Sequence, residues 1–290
     1  MDINKVLKYN FPIISDEYRK FALEKDKCRK CYIHTNYNQV CQSEGNAKNP
    51  VFVFVGEAPG SDEIKEMRPF IGAAGQRLRM ELRKYKDVFT KENALITNTI
   101  SCRPQGNVYP GDSDPGVKTC VDSWLNRELT LLKPKIIVLL GGAALSAVRR
   151  ETGITANRGK WKFLSPGTTN LDENGNVKKY VKVPSFFSHL KAWTLATFHP
   201  SYVIRCESEG NTYVGNLFSQ DIESVATMYK TLLSDYRYTA KNELFTQDSK
   251  YNKYHTPKGG LGNLGLSLTG EQMAQQLGLI SGGAQAKFPY

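Results

Sequence analysis

The chain has 290 residues, of which 40% are hydrophobic and 23% charged, values that suit a folded globular protein and exclude wholesale disorder. The formal net charge of +11 favours a polyanionic partner such as nucleic acid, although a basic surface can also serve solubility alone. No run of about 18 apolar residues occurs, and no apolar signal-peptide core follows the first residues. We therefore expect an intracellular, cytoplasmic protein without a membrane span, whose six cysteines favour metal ligation over disulfides.

Short apolar strands alternate with helical segments along the chain. The predicted strands cover residues 51–55, 94–98, 135–140 and 193–198. The predicted helices cover residues 72–85, 121–132, 143–150 and 215–233. The strands are continuous runs rich in β-branched and aromatic residues, as is typical of parallel strands covered on both faces. We therefore predict an α/β fold, a three-layer α/β/α sandwich with a mostly parallel central sheet.

Two segments lie outside this alternation. Asn174-Gly175 predicts the tip of a β-hairpin, whose lysine-rich arms either contact DNA or decorate the surface. From about Asp235 the composition shifts to Gly, Asn, Gln and Tyr, with few large aliphatic residues. We predict one domain over residues 1–235 and a C-terminal extension over 236–290, partly disordered, with a short helix at 269–279. The protein is expected to be a monomer, with the extension as a candidate contact for a protein partner.

Polar residues follow three of the predicted strands. Gly56-Glu57-Ala58-Pro59-Gly60 follows the first strand, Asn98 ends the second, and His199-Pro200-Ser201 follows the last. In an open α/β sheet the site lies beyond the carboxyl ends of the strands. We therefore expect these three segments to meet in one site.

The same segments carry a family resemblance. Residues 56–60, followed by Arg68-Pro69-Phe70-Ile71-Gly72-Ala73-Ala74-Gly75, resemble the first signature of the family 4 uracil-DNA glycosylases, and residues 97–104, 158–160 and 198–202 follow in the family's order. The resemblance covers roughly residues 25–235 and rests on several spaced motifs, which are more specific than any one alone. It implies an enzyme that flips uracil out of DNA and hydrolyses its N-glycosidic bond, leaving an abasic site for base excision repair.

The resemblance assigns base binding to Gly56, Ala58, Phe70 and Asn98. An aromatic ring at Phe70 stacks on an extruded base, or else is simply part of the core. The carboxamide of Asn98 offers a donor and an acceptor, which match uracil O4 and N3–H; the commoner role of such an Asn is to cap the turn after a strand.

Catalysis is assigned to His199 and Glu57. A donor at His199 would stabilise the negative charge that develops on uracil O2 as the bond breaks. Ala58 stands where the best-known uracil glycosylase family has a water-activating Asp, so that route is absent. Glu57 is the ionisable group of its loop. It then positions water or stabilises the positive charge on the sugar, or else it only holds the loop in place. The resemblance also places Ser201 and Tyr202 against the DNA minor groove, with Arg205 near a phosphate.

Four cysteines complete the pattern. Cys28 and Cys31 form a Cys-x-x-Cys pair, and Cys102 and Cys120 are separated by 17 residues. Four thiolates suit a [4Fe–4S] cluster or Zn²⁺, and the spacing does not choose between them. The resemblance implies the cluster, in a structural role that ties the N-terminal segment to the loop after Cys102. Cys41 and Cys206 are expected to be ordinary thiols, with Cys41 as the alternative ligand should it replace one of the four.

Other functions remain open at this point. They are a glycosylase for a modified pyrimidine, a catalytically weak uracil-DNA-binding or replication-partner module of the same fold, and a zinc-ribbon nucleic-acid binder. A related iron–sulfur family that binds uracil-DNA covalently carries an Arg-rich insertion with a His after its glycine signature. Here Gly75 runs directly into Gln76-Arg77-Leu78-Arg79 without a His, which disfavours that family.

Overall fold

A computed structural model describes residues 2–164, 170–171, 177–178 and 190–241, with side chains described over 2–164 and 190–230. The strands are β1 (Ile13–Ile14), β2 (Glu44–Ala47), β3 (Phe52–Gly56), β4 (Ala94–Asn98), β5 (Ile136–Leu140), β6 (Trp161–Leu164), β7 (Asn170–Leu171), β8 (Val177–Lys178) and β9 (Ala192–Thr197). The helices are α1 (Ile3–Asn10), α2 (Asp16–Asp26), α3 (Ser61–Glu66), α4 (Ala73–Arg83), α5 (Pro115–Cys120), α6 (Asn126–Leu132), α7 (Gly142–Arg149), α8 (Ile154–Asn157), α9 (Pro200–Ser208) and α10 (Tyr213–Lys241). Short 3₁₀ turns cover Tyr32–Asn36 and Gln105–Asn107, and a π-helical turn at Val121–Leu125 joins α5 to α6.

The central sheet of the described residues has seven strands in the order β1-β2-β4-β3-β5-β9-β6. The inner pairs β4–β3, β3–β5 and β5–β9 are parallel, whereas β2 and β6 join the sheet antiparallel to β4 and β9. The predicted mostly parallel α/β sheet is therefore confirmed, with antiparallel strands added on both sides of a parallel centre.

The inner strands are buried on both faces. Along β3 the side chains of Val53 and Val55 join the hydrophobic layer that also contains α6 and α7 residues, while Phe52 and Phe54 join the layer of α4 and α10 residues. Successive residues of a strand point to opposite faces, so a continuous apolar run supplies both layers. This is the physical reason that the apolar runs predict the three-layer architecture.

The N-terminal segment forms one edge of the sheet through β1 and β2, which its polar sequence did not predict. Strand β2 reads Glu-Gly-Asn-Ala, yet all four residues are buried. Gly45 has a φ of +124°, and a β-carbon there would lie 2.1 Å from the Ala94 carbonyl oxygen. Only glycine allows β2 to approach β4 this closely.

A buried polar network fixes this N-terminal layer to the end of β4. Glu128 of α6 accepts hydrogen bonds from the hydroxyls of Tyr18 and Ser43, and from that of Thr97 at 3.0 Å. Lys25 of α2 pairs with the same carboxylate at 3.5 Å, and both side chains are almost fully buried. Removing either member of the Lys25–Glu128 pair would leave an uncompensated buried charge, so the network is costly to break. Through its hydrogen bond to Thr97, the network anchors the residue that precedes Asn98.

The remaining predictions concern the hairpin and the C-terminal extension. Strands β7 and β8 pair antiparallel, as the hairpin prediction requires, while its tip at residues 172–175 lies outside the described residues. Helix α10 continues to Lys241, past residue 235, where the C-terminal extension is predicted to begin. The domain boundary at residue 235 stays a prediction. The helix predicted at 269–279 also lies outside the described residues, as does most of the proposed partner contact. Across the part of the chain that is described, no helix is long and apolar enough to cross a membrane.

Candidate active site

The ends of three strands bring the predicted site residues together. Gly56 pairs in register with Asn98 at the carboxyl ends of β3 and β4. Strand β9 ends at Thr197, and His199 caps the N-terminus of α9 just beyond it. We call the group formed by Gly56, Phe70, Asn98 and His199 the strand-end site.

Gly56 lies at the centre of this site. A β-carbon on Gly56 would stand 2.3 Å from Cζ of Phe70 and 2.5 Å from Oδ1 of Asn98. The rings of Phe70 and His199 lie with centroids 5.9 Å apart. The absence of a side chain at Gly56 therefore lets an aromatic face, a carboxamide and an imidazole converge.

Two polar atoms of the site are buried without a hydrogen-bond partner among the described residues: Oδ1 of Asn98 and Nε2 of His199. A buried polar atom left unpaired costs about 1–3 kcal/mol. Unpaired buried atoms also occur elsewhere in the described residues, but these two flank the same aromatic ring at the carboxyl end of the sheet, which makes them candidate contacts for a polar ligand. Because the Asn98 side-chain oxygen is unpaired, it does not serve as an acceptor that caps the strand exit.

The hydrogen bonds around His199 define its tautomer. The backbone N–H of Ser201 donates to Nδ1 of His199 at 3.3 Å, and the Ser201 hydroxyl lies 2.7 Å from the same nitrogen. A backbone amide can only donate, so Nδ1 is the acceptor and the neutral ring carries its proton on Nε2. Burial lowers the pKa of His199 to about 4, which keeps the imidazole neutral at physiological pH.

A second network holds the end of β9. The guanidinium of Arg158 pairs with Asp221 of α10, with Nε 2.9 Å from Oδ2, and the Thr197 hydroxyl donates to the same carboxylate oxygen at 2.6 Å. Thr197 is two residues before His199. Arg158, the first residue of the 158–160 motif, thus holds the end of β9, just before His199.

Glu57 lies next to the strand-end site. Its carbonyl oxygen accepts from the N–H of Ile100 at 3.1 Å, which ties its loop to the segment after Asn98. Burial, followed by the negative charge of Asp112, raises the pKa of Glu57. Asp112 in turn accepts from the Tyr109 hydroxyl at 3.2 Å. Sequence reasoning missed Asp112 and Tyr109, because they lie in a loop without periodicity.

Glu63 is a further residue that the sequence did not single out. Its Oε1 accepts from the backbone N–H groups of Ile71 and Gly72 at 3.0 and 2.8 Å. It therefore holds the loop that carries Phe70 from its C-terminal side. Phe70 itself is buried in the hydrophobic layer beside α4, so it belongs to the core and to the site at once.

The predicted DNA-contacting residues lie on α9. Tyr202 is 38% exposed, and the exposed guanidinium of Arg205 lies 5.2 Å from its ring centroid. Ser201 is also exposed, and its hydroxyl and N–H are both directed at His199. Ala58 packs against the core and offers no acidic group near the site.

The four predicted metal-binding cysteines line one cavity, together with Trp124 and His34. The indole N–H of Trp124 donates to Sγ of Cys28 at 3.1 Å, and the backbone N–H of Ser101 donates to Sγ of Cys120 at 3.4 Å. Cys41 donates its N–H to the Ser101 carbonyl and Cys206 lies in the opposite hydrophobic layer, so neither lines this cavity.

The donor set is of a kind that holds metal, because four thiols around one cavity suit an iron–sulfur cluster or Zn²⁺. Within the described ranges, no group of three or more Cys, His, Asp or Glu side chains is arranged to hold a single metal ion. Four thiols around a common cavity, with N–H donors aimed at two sulfurs, match the needs of an iron–sulfur cluster.

Comparison with known proteins gives a consistent result. The profile of the uracil DNA glycosylase superfamily matches residues 42–220. A type-4 uracil-DNA glycosylase of Thermotoga maritima is 31% identical over 206 residues, which cover 70% of this chain and 90% of that protein. A type-4 uracil-DNA glycosylase of Saccharolobus solfataricus is 25% identical over 250 residues, which cover 86% of this chain and 99% of that protein. The chain therefore belongs to the uracil-DNA glycosylase superfamily and, within it, to the type-4 uracil-DNA glycosylases.

Proposed function

We propose that this protein is a DNA glycosylase that flips uracil out of DNA and hydrolyses its N-glycosidic bond. The observation that carries the proposal is the pair of buried, unpartnered polar atoms, Asn98 Oδ1 and His199 Nε2, beside the ring of Phe70. An extruded base needs an aromatic face for stacking and polar groups for its edge, and this site offers both. Membership of the type-4 family supports the same activity.

Base selection falls to Asn98 and Phe70 in this proposal. The Asn98 oxygen accepts from uracil N3–H while its amide donates to O4; cytosine presents the opposite pattern and leaves both groups unpaired. Phe70 stacks on the base, a contact worth about 1–3 kcal/mol. The absence of a side chain at Gly56 gives Phe70 and Asn98 the room to meet beside the base, and the small side chain of Ala58 leaves the adjoining loop open to it.

Catalysis falls to His199 and Glu57. Breaking the glycosidic bond places negative charge on the departing uracil, and the neutral Nε2–H of His199 stabilises that charge at O2. Ser201 holds the tautomer that makes Nε2 the donor. Glu57, in its ionised form, positions the attacking water and stabilises the positive charge that develops on the sugar.

DNA binding and the cysteine site complete the proposal. Ser201 and Tyr202 lie against the minor groove and Arg205 contacts a phosphate beside the extruded nucleotide. Cys28, Cys31, Cys102 and Cys120 hold a [4Fe–4S] cluster, which supplies cross-links between the N-terminal segment and the loop after Asn98. Only Thr99, Ile100 and Ser101 separate Asn98 from Cys102, so the cluster also fixes the segment that reads the base.

The activity is tested with a panel of duplexes that differ at one base. Each carries uracil, thymine, hypoxanthine or hydroxymethyluracil at the same position, and abasic sites are cleaved with alkali after incubation. We expect strand cleavage at uracil and little at thymine. Cleavage at hydroxymethyluracil with uracil left intact would instead identify a modified-pyrimidine glycosylase, and cleavage of none would leave a DNA-binding module.

A further inference from the structure

Phe70 adopts a backbone conformation that phenylalanine rarely takes. Its φ of +55° lies in the left-handed region, where the β-carbon crowds the backbone. Met67, three residues earlier, has a φ of +52°. A loop with two such residues persists only if the contacts around it compensate the strain. The side chains that make these contacts therefore determine where the Phe70 ring lies.

Arg79 of α4 holds the backbone at Phe70 and at the residue before it. Its Nε donates to the carbonyl oxygen of Phe70 at 3.0 Å, and its Nη2 donates to that of Pro69 at 3.2 Å. The same Nη2 pairs with Oε2 of Glu44 at 2.6 Å. One guanidinium thus joins the strained loop to the buried strand β2.

The surrounding packing suits arginine at this position. A β-carbon on Gly75 would stand 1.8 Å from the Phe70 carbonyl oxygen, so the first turn of α4 lies directly against the loop. Glu44 is only 8% exposed, and its second oxygen pairs with Arg68 at 3.0 Å. The planar fork of a guanidinium can satisfy two carbonyls and a carboxylate together, whereas a lysine ammonium cannot reproduce that geometry.

We infer that Arg79, held by Glu44, is a positioning residue of the base site: it fixes the Phe70 backbone so that the ring is preorganised to stack on uracil. The inference rests on the proposed stacking role of Phe70. Glu63 fixes the loop after Phe70, and Arg79 fixes it at and before Phe70, so the ring is held from both sides. A preorganised ring costs less to order when the base arrives, which raises affinity for the base.

The test compares Arg79→Gln with Phe70→Leu and with the double variant. The affinity for free uracil is measured as product inhibition of excision, and the melting temperature of each variant is measured first. Arg83→Gln is the matched control, because Arg83 is an exposed arginine on the same helix. We expect Arg79→Gln to weaken uracil binding roughly tenfold and Arg83→Gln to leave it unchanged. Arg79→Lys should fall between Arg79→Gln and the wild type.

The double variant separates positioning from general stability. If Arg79 acts through Phe70, Arg79→Gln should weaken uracil binding little further once Phe70 is Leu. Full additivity of the two losses would overturn the inference, as would unchanged binding in Arg79→Gln while Phe70→Leu binds weakly. Unchanged binding in Phe70→Leu itself would remove the stacking role, and the proposed function would lose that residue as well. Should Arg79→Gln fail to fold, Arg79→Lys and Glu44→Gln carry the same comparison.

Discussion

The ring of Phe70 lies directly over Gly56, with Cζ 2.3 Å from the place a β-carbon would occupy. Gly56→Ala should therefore push the ring out of the strand-end site. Overpacking of this kind costs about 1–3 kcal/mol. If the whole cost is a loss of transition-state stabilisation, kcat/KM falls by roughly 5- to 150-fold. Gly142→Ala is the control, because nothing lies within 4 Å of a β-carbon there. Equal activity of the two variants would remove Gly56 from the site.

Asn98 tests the reading of the base. In Asn98→Asp a carboxylate replaces the amide, so it cannot donate to O4, and it repels the negative charge on the departing base. We expect single-turnover excision to fall by at least about 100-fold, and further than in Asn98→Ala. The measurement is the rate on duplexes with a single uracil. A wild-type rate in Asn98→Asp would show that the amide does not contact the base.

Glu57 and Asp112 predict a shift in the pH profile. The proposed form of Glu57 is ionised, so activity should be lost as the pH falls through its raised pKa. Asp112→Asn removes a charge that raises this pKa, so the acidic limb of the single-turnover rate should move to lower pH. Burial lowers the pKa of His199 to about 4, so protonation of its ring should affect the rate only near and below that pH. The assignment fails if Asp112→Asn moves the limb upward or Glu57→Gln leaves it unchanged.

The cysteine site predicts a metal content. Purified protein should be brown and contain about four irons per chain, as one [4Fe–4S] cluster requires. Cys102→Ala should lose the iron and much of the soluble yield, while Cys206→Ala should keep both, because Cys206 lies outside the cavity. Iron and zinc are measured by elemental analysis. One zinc and no iron per chain would contradict the cluster and show that the four cysteines bind Zn²⁺.

The sequence predicted those features that are local or periodic. Strand β4 coincides with the predicted residues 94–98, because an apolar run bounded by polar loops is a strong signal. The meeting of Gly56, Asn98 and His199 followed from parallel strands that share one carboxyl edge. Strand β2 was missed because its residues are polar, so no hydropathy pattern marks them as buried. Their burial depends on partners from other parts of the chain. The pairing of Arg79 with Glu44 joins residues 35 positions apart, so only the folded chain reveals it.

His199 tests the central claim most directly, because its unpartnered Nε2–H is proposed to act mainly in the transition state. The measurement pairs single-turnover excision by wild type and His199→Ala with their affinities for a duplex carrying a non-hydrolysable uracil nucleotide. We predict that the rate falls by about 10²–10³-fold while the affinity stays nearly unchanged. Equal losses in rate and affinity, or no loss in either, would contradict the assignment of His199 as the donor to the departing uracil.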